Sequence, residues 1–244
     1  LNTGTIEALE ADFYERGTVT VAKDLLGKII VRAVEHRPVE HGANTGKRDL
    51  RLARIVETEA YAPDDPASHA FRGPTERNRV MFGAPGHAYV YFIYGMHHCL
   101  NAVTEPEGTG GAVLIRAATP LYGLTAMWHS RFPSAPPAEP LDGRAVRKLA
   151  GGPAMLTQAL FVRTNEDNGV PLYEGSLQIA RHVKIENAGE ESEFAAPSAL
   201  EIISDERVGI SRAAEKPWRF TVAESTFLSR KPSPASRSFR YRPQ

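Results

Sequence analysis

A single arginine inside an apolar run constrains the fold of this 244-residue chain more than any other feature. The run Ala112-Val-Leu-Ile-Arg-Ala117 is short and rich in β-branched residues, which indicates a buried strand that carries Arg116. A guanidinium group inside a strand of this kind needs a carboxylate partner. The sequence therefore predicts an adjacent strand with a glutamate, and Arg54-Ile-Val-Glu-Thr-Glu-Ala-Tyr61 offers two.

The segment Leu50 to Ala60 is the predicted partner strand. Strict alternation along a strand places Ile55, Glu57, Glu59 and Tyr61 on one face. Two carboxylates and a tyrosine are a poor core face, so position alone leaves two interpretations open. The face is either exposed to solvent, with a glutamate paired to Arg54, or it is the wall of a polar site.

A second strand, predicted from His87 to Tyr94, is rich in tyrosine. Tyr89, Tyr91 and Ile93 share one face, and Val90, Phe92 and Tyr94 share the other. Packing and β-propensity alone explain several tyrosines in a strand. Tyr94, however, precedes Gly95 where the strand turns, and it is therefore predicted to project from a tip.

Composition excludes several classes of protein. No apolar run approaches the roughly 20 residues that a membrane span needs, and Cys99, as the single cysteine, excludes an internal disulfide framework and fits a reducing, cytoplasmic compartment. The net charge is zero, but residues 186–206 hold seven acids whereas 207–244 hold nine bases and two acids. This basic end either binds phosphate or is a solvated face.

The order of elements, with short alternating strands and with helices late in the chain, predicts an α+β fold in a single domain over residues 1–230. The family resemblance given below implies a curved, mainly antiparallel sheet surrounded by helices. Residues 188–198 are predicted to form an acidic loop, and the basic tail, residues 231–244, is expected to fray. Further helices are predicted at residues 12–15, 18–26, 121–128, 143–149 and 154–161, with strands at 28–34, 175–180, 201–204 and 218–222.

No cofactor or metal is expected from the sequence. The chain has no phosphate loop of the Walker type and no dinucleotide fingerprint. The adjacent pair His97-His98 is too closely spaced for both side chains to reach one metal from a strand, and no cluster of cysteine and histidine supports zinc.

In these residues and their spacing, the chain resembles the 3-methyladenine (alkyladenine) DNA glycosylase family, of the single-domain type without a helix-hairpin-helix. The resemblance runs from about Asp12 to Phe227. Its densest motifs are Arg54-Ile-Val-Glu-Thr-Glu-Ala-Tyr61, Ser68-His69, Arg77-Asn-Arg79, Tyr89-Val-Tyr-Phe-Ile-Tyr-Gly-Met96, Asn101, Val113-Leu-Ile-Arg116 and Arg207-Val-Gly-Ile210.

The resemblance implies an enzyme that flips an alkylated or deaminated purine out of duplex DNA and hydrolyses its N-glycosidic bond without cutting the strand. It implies that Glu59 activates the water and that Arg116 and the backbone carbonyl of Val208 help to hold it. The implied base-binding residues are Tyr61, His69, Tyr91 and Asn101, and the implied DNA-binding residues are Tyr94, as a wedge in the vacated gap, with Met96, Thr75 and Arg77.

The expected partner is therefore damaged duplex DNA, bound by a monomer with no obligate protein partner and no membrane. Two other functions stay open at this stage. One is a relative that recognises damaged DNA without turnover, and the other is a hydrolase of free nucleosides, in which a tyrosine at a strand tip has no use.

Overall fold

A computed structural model describes residues 2–35, 48–93, 96–137, 141–187 and 190–244. Tyr94 and Gly95 fall outside these residues. In chain order the strands are β1 (Asn2–Ala8), β2 (Ile29–Glu35), β3 (Arg48–Tyr61), β4 (Ala88–Ile93), β5 (His97–Thr104), β6 (Gly111–Tyr122), β7 (Leu177–Asn187), β8 (Glu190–Ala195), β9 (Leu200–Asp205), β10 (Arg219–Val222) and β11 (Arg237–Tyr241). The helices are α1 (Ala11–Tyr14), α2 (Thr18–Asp24), α3 (Leu124–Arg131), α4 (Gly143–Ala150), α5 (Pro153–Ala159) and α6 (Thr164–Asp167), with a 3-10 turn at Arg79–Phe82.

The described strands form one sheet around β3. The main path runs β1-β7-β2-β3-β10-β9-β11, and a branch from β3 continues through β6 and β5 to β4. Strand β3 is long enough that one edge pairs with β2 in its first half and with β10 in its second, while β6 takes the other edge. Every described strand pairing is antiparallel. The predicted α+β class is confirmed.

Two consecutive bulges interrupt the ladder between β3 and β6. Ile55 lies opposite Ala118 and Glu57 lies opposite Ala117, so that β3 carries one extra residue; Thr58 then lies opposite Ile115, so that β6 carries the next. A bulge re-aims the side chains that follow it. The strict alternation predicted for Ile55 is therefore wrong, because Ile55 lies in the main hydrophobic cluster with Ala60.

The two faces of β3 beyond these bulges have different surroundings. The Thr58 hydroxyl donates to the Ala22 carbonyl in α2 at 2.7 Å, and Ala60 belongs to the main core with Leu25. Glu57 and Glu59 are directed instead towards Arg116 of β6. One face is thus closed by a helix, and the other is left for a site.

Three further predictions are corrected by the structure. The acidic segment predicted as a loop contains β8, which pairs with β7 and places Lys184 beside Glu191 at 3.2 Å. The tail predicted to fray contains β11, which pairs with β9. The helix predicted from Leu121 begins only at Leu124, because Gly123 adopts a φ of 75°, which favours glycine and interrupts the chain after β6.

Strand β1 and helix α6 were not predicted. Strand β1 pairs with β7, and its first residues have little apolar periodicity to announce a strand. Helix α6 is only one turn long and is fixed by the buried ion pair between Arg32 and Asp167, at 2.6 Å. Both elements depend on tertiary contacts, which local propensity does not report.

Candidate active site

A pocket of about 340 Å³ opens between the second half of β3 and strands β4, β5 and β6. The side chains that close it come from these strands, from the loop after β3, from the start of α5 and from residues 208–210. The pocket-lining residues used below are Tyr61, His69, Tyr89, Tyr91, His97, Cys99, Asn101, Leu114, Arg116 and Val208. Tyr89, Tyr91 and Ile93, which alternation places on one face of the strand, all line this pocket.

Glu59 is fully buried and is bound to three of the residues that line this pocket. Its Oε1 atom accepts a hydrogen bond from the Val208 amide at 2.7 Å. Its Oε2 atom accepts from the Tyr61 hydroxyl at 2.8 Å and from Arg116 Nη1 at 3.3 Å. A carboxylate has about four acceptor positions, so these three bonds leave about one for a further donor. We call Glu59, Arg116 and Val208 the pocket floor.

Arg116 has the carboxylate partner that the sequence demanded. Its Nε atom lies 3.2 Å from Glu57 Oε1, while Nη1 contacts Glu59. Burial alone would lower the pKa of Arg116, but Glu59 and Glu57 outweigh it and raise that pKa. The group is therefore a fixed cation across the pH range of a working enzyme.

The charges continue behind the floor as an alternating ladder. Arg219 donates from Nε to Glu57 at 2.7 Å and from Nη1 to Asp205 at 3.1 Å. Burial works against the charged form of Asp205, but hydrogen bonds from Ser233 and the charge of Arg219 lower its pKa overall. Glu59, Arg116, Glu57, Arg219 and Asp205 together carry three negative and two positive charges. The ladder leaves a net negative charge next to the pocket.

Sequence reasoning missed this extension of the ladder, although the signal was present. Arg219 lies in the apolar segment Trp218-Arg-Phe-Thr-Val222, so the argument that found a partner for Arg116 applies to it as well. Asp205 and Ser233 gave no comparable signal, because their proximity depends on how β9 and the C-terminal segment return to the sheet.

A second buried ion pair holds the loop that carries Val208. Arg207 and Asp65 form a hydrogen-bonded ion pair in which both side chains are fully buried. Arg207 also donates to the Ala60 carbonyl at 2.9 Å, and its guanidinium lies 4.8 Å from the centre of the Tyr61 ring. The pair therefore ties residues 207–208 to the end of β3 and supports one face of Tyr61.

Aromatic rings form the walls of the pocket. The His69 and Tyr91 rings lie edge to face, with centroids 4.8 Å apart, and His69 Nδ1 is 3.1 Å from the Tyr89 hydroxyl. Burial raises the pKa of Tyr89 to about 12 and raises those of Tyr61 and Tyr91 further. Partial burial, helped by Arg77, lowers the pKa of His69, so this ring is neutral at pH 7.

Asn101 is buried in the pocket wall on β5. Its Nδ2 atom donates to the Tyr89 carbonyl at 2.8 Å, and β5 pairing places it opposite Leu114 of β6. The carboxamide is thus held by the backbone carbonyls of Tyr89 and Cys99, and Asn101 lines the pocket.

Three of the predicted DNA-binding residues, Thr75, Arg77 and Met96, do not line the pocket. Arg77 has an exposed side chain 5.8 Å from the Tyr91 ring centre, Thr75 contacts Asn78, and Met96 is 65% exposed. Phe92, next to the pocket-lining Ile93, is 46% exposed. We call Thr75, Arg77, Phe92 and Met96 the pocket rim. Tyr94 lies outside the described residues.

The rim borders a second, shallower depression of about 270 Å³ that shares His69 and Tyr89 with the pocket. Its other lining residues include Thr75, Arg72, Arg77 and Arg212. Three arginines on one depression form a positive surface beside the pocket mouth.

Two classes of site are not found within residues 2–35, 48–93, 96–137, 141–187 and 190–244. No group of three or more histidine, cysteine, aspartate or glutamate side chains is arranged to hold a metal ion. No helix in the described part of the chain is long and apolar enough to span a membrane.

Known proteins resemble this chain over nearly its whole length. The family model for methylpurine-DNA glycosylase (MPG) matches residues 12–226. A protein of Methanoculleus marisnigri is 45% identical over 223 residues, which are 91% of this chain and 99% of that protein. A protein of Rhodopseudomonas palustris is 46% identical over 180 residues, or 74% and 75% of the two chains, and one of Carboxydothermus hydrogenoformans is 40% identical over 223 residues, or 91% and 99%. Each of the three is named "Putative 3-methyladenine DNA glycosylase".

These matches give the chemical class to which the pocket belongs: the protein is a DNA glycosylase for alkylated bases, and damaged DNA is its substrate. The chain belongs to the methylpurine-DNA glycosylase family. Of the site residues that the resemblance implied, Tyr61, His69, Tyr91, Asn101, Arg116 and Val208 line one pocket, and Glu59 is bound to three of them.

The structure differs from the resemblance in its contact at Val208. The resemblance assigns the backbone carbonyl of Val208 to the water, whereas the bond observed runs from the Val208 amide to Glu59. Val208 is thus bound to Glu59 through its amide, and the role of its carbonyl stays a prediction.

Proposed function

We propose that this protein extrudes a damaged purine from duplex DNA into the pocket and hydrolyses its N-glycosidic bond, with Glu59 as the general base. One observation carries the proposal: a fully buried carboxylate with about one free acceptor position is hydrogen-bonded to Tyr61, Arg116 and Val208, which line an aromatic-walled pocket. A general base must lie within hydrogen-bond reach of the proton that it removes. A water on the remaining position of Glu59 meets this condition.

The proposed reaction is a direct displacement by water. Glu59 takes a proton from the water while the water oxygen forms a bond to the sugar C1′ atom. The bond between C1′ and the purine nitrogen breaks, and its electrons go to the base. For a cationic alkylated purine the departing base is neutral. The net negative charge of the ladder behind the floor stabilises the positive charge that develops on the sugar.

Direct hydrolysis also agrees with the side chains available to react. A glycosylase that cuts the strand through a Schiff base needs an amine nucleophile. None of the residues that line the pocket in the described part of the chain is a lysine. We therefore infer a monofunctional hydrolase whose product is an abasic site in an unbroken strand.

The aromatic walls suit an extruded purine. A base inside a duplex is out of reach of a buried carboxylate, and enzymes that act on such a base rotate it out and stack it between rings. A cationic alkylated base gains attraction to the faces of Tyr61 and Tyr91. The lowered pKa of His69 keeps this third ring uncharged at pH 7, so that it does not repel the cation.

We further infer that the pocket accepts deaminated purines such as hypoxanthine, and that Asn101 disfavours an exocyclic 2-amino group. The fixed carboxamide cannot swing away, because Nδ2 is bound to the Tyr89 carbonyl. A base with an additional amino group at that edge therefore meets a steric clash with this side chain.

A product assay tests this function against its alternatives. Duplexes carrying 3-methyladenine, 7-methylguanine, hypoxanthine or ethenoadenine, and the matching free nucleosides, are incubated with enzyme and analysed with and without alkali. We expect free base from the duplexes, strand cleavage only after alkali, and no reaction of nucleosides. Binding without base release would indicate a damage-recognition protein, and release from nucleosides alone would indicate a nucleoside hydrolase.

A further inference from the structure

The segment after β10 reaches back to the charged ladder at two points, although it lies beyond the residues that the family model matches. Ser229 contacts Glu57 and Arg116, and Ser233 contacts Asp205. We call residues 229–233 the clasp. Its two serines bind the carboxylates on either side of Arg219.

Ser229 uses both its amide and its hydroxyl on this ladder. Its amide donates to Glu57 Oε2 at 2.6 Å, and its hydroxyl donates to Glu57 Oε1 at 2.8 Å. The same hydroxyl oxygen accepts from Arg116 Nε at 3.3 Å and from Arg116 Nη2 at 3.2 Å. Because the hydroxyl proton points to Glu57, the oxygen lone pairs face the guanidinium.

We propose that Ser229 is a positioning residue for the glycosylase reaction: by joining Glu57 to Arg116, it holds the Arg116 guanidinium against Glu59. The inference rests on the proposed roles of Glu59 and Arg116. Ser229 touches neither the pocket nor the reacting atoms, and it acts through Arg116.

Arg116 has bonds of similar length to Glu59, Glu57 and Ser229, at 3.2–3.3 Å, and Ser229 is itself anchored to Glu57 by shorter bonds. The bond from Nη1 to Glu59 is 3.3 Å long, whereas Ser229 binds Glu57 at 2.6 and 2.8 Å. Charge-assisted bonds of the shorter kind are the stronger ones. An arginine side chain has several rotatable bonds, and a planar guanidinium fixed along Nε and Nη2 can present Nη1 in one direction only.

Glu57 depends on Ser229 in turn. Its side chain is fully buried, and Oε1 accepts from both Arg116 and Arg219. The two bonds from Ser229 hold the carboxylate of Glu57 between the two guanidinium groups. Without the hydroxyl, Glu57 can shift towards Arg219, with which it has the shorter contact of 2.7 Å. Arg116 then loses the contacts with Ser229 and Glu57 that fix its orientation.

The clasp offers a matched pair of variants for the test. Ser229→Ala and Ser233→Ala remove the same atom from the same segment, but Ser233 hydrogen-bonds Asp205, beyond Arg219 and away from Arg116. The measurements are the single-turnover rate of base release from a 7-methylguanine duplex, the Kd for a duplex with a tetrahydrofuran abasic analogue, and Tm. Ser229→Thr, which restores a hydroxyl, and Glu59→Gln are measured in parallel.

We expect Ser229→Ala to lower the single-turnover rate about 10- to 100-fold, which corresponds to one lost hydrogen bond to a charged group. The Kd should stay close to that of the wild type, and Ser229→Thr should recover most of the rate. Ser233→Ala, which has no contact with Arg116, should lose clearly less rate than Ser229→Ala. A wild-type rate in Ser229→Ala overturns the proposal, as does an equal rate loss in both alanine variants.

The two proposals fail in different ways. If the wild-type enzyme releases no base from the duplex, the proposed function is wrong, and if Glu59→Gln retains the wild-type rate, the proposed role of Glu59 is wrong. If Glu59→Gln is inactive while Ser229→Ala is fully active, only the positioning role is wrong. Should Ser229→Ala be unfolded at the assay temperature, Ser229→Cys replaces it, since a thiol keeps the volume and loses most of the hydrogen-bonding strength; the same rate loss is then expected.

Discussion

At the pocket floor, Glu59 and Arg116 are buried and each is bound from more than one side, whereas at the pocket rim Phe92 and Met96 are 46% and 65% exposed. Strands, bulges and ion pairs together hold the few polar atoms of the floor in place. The rim presents apolar surface and Arg77 to solvent. Chemistry needs groups held to a fraction of an ångström, while capture of a large, varied duplex needs reachable surface. We therefore expect floor variants to change the rate or the fold and rim variants to change binding or extrusion.

The largest effect is expected from the ion pair that supports the floor. Asp65→Asn leaves the fully buried Arg207 without its countercharge and should lower the free energy of unfolding by about 3–5 kcal/mol. Asp64→Asn is the matched control, because Asp64 is exposed and should change stability by less than about 0.5 kcal/mol. Denaturant unfolding measures both variants. Equal stability of the two would show that the floor is less constrained than the comparison requires.

Next in size is the loss expected from Tyr94→Ala, because the sequence predicts that Tyr94 projects from the tip of a strand. Tyr94→Ala should remove a group that fills the vacated gap, where unstacking costs on the order of a few kcal/mol. The single-turnover rate should therefore fall strongly for hypoxanthine in a stable pair and weakly for mispaired hypoxanthine. Tm should hardly change. A large fall in Tm, or equal rate losses on both duplexes, would place Tyr94 with the floor instead.

A smaller effect is expected from Asn101→Ser in the pocket wall. This variant should raise release of guanine-derived bases relative to adenine-derived ones, by a factor that corresponds to about 1–3 kcal/mol. The ratio of the two rates is the measurement, because a general loss of stability cancels from it. An unchanged ratio would mean that Asn101 serves only the backbone through its bond to the Tyr89 carbonyl.

The smallest effect is expected from Arg77→Ala at the rim. Removing one phosphate contact should lower the slope of log K against log salt by about 0.9 and leave the single-turnover rate at saturating enzyme unchanged. Arg144→Ala, an exposed arginine on α4 that lines neither depression, serves as the control. Equal slopes for Arg77→Ala and the wild type would remove Arg77 from the DNA-binding surface.

The sequence predicted the floor better than its supports. Arg116 in an apolar strand required a neighbouring glutamate, and β3 supplies Glu57 and Glu59 because burial leaves few other solutions. Alternation could not choose between these two glutamates, since it places both on one face. It also failed at Ile55, because a bulge inserts a residue that no periodicity announces.

Contacts between distant segments were beyond sequence reasoning. Asp65 meets Arg207, and Ser229 meets Glu57, only because β10 and the chain around it fold back on β3. The tail failed for a related reason: its composition resembles that of a frayed end, but β9 provides an unpaired edge to which β11 adds. Tertiary pairing overrides local composition in such a segment.

The most direct test of the division between floor and rim is Glu59→Gln, measured for rate and affinity on the same 3-methyladenine duplex. We expect the single-turnover rate of base release to fall by about 10²- to 10⁴-fold, because this is the usual effect of losing a general base. The Kd should stay close to that of the wild type. The amide keeps the shape of Glu59 and its contact surface with Tyr61 and Arg116. A Glu59→Gln enzyme that keeps its rate while Glu57→Gln is inactive, or one whose affinity falls as steeply as its rate, would contradict this expectation.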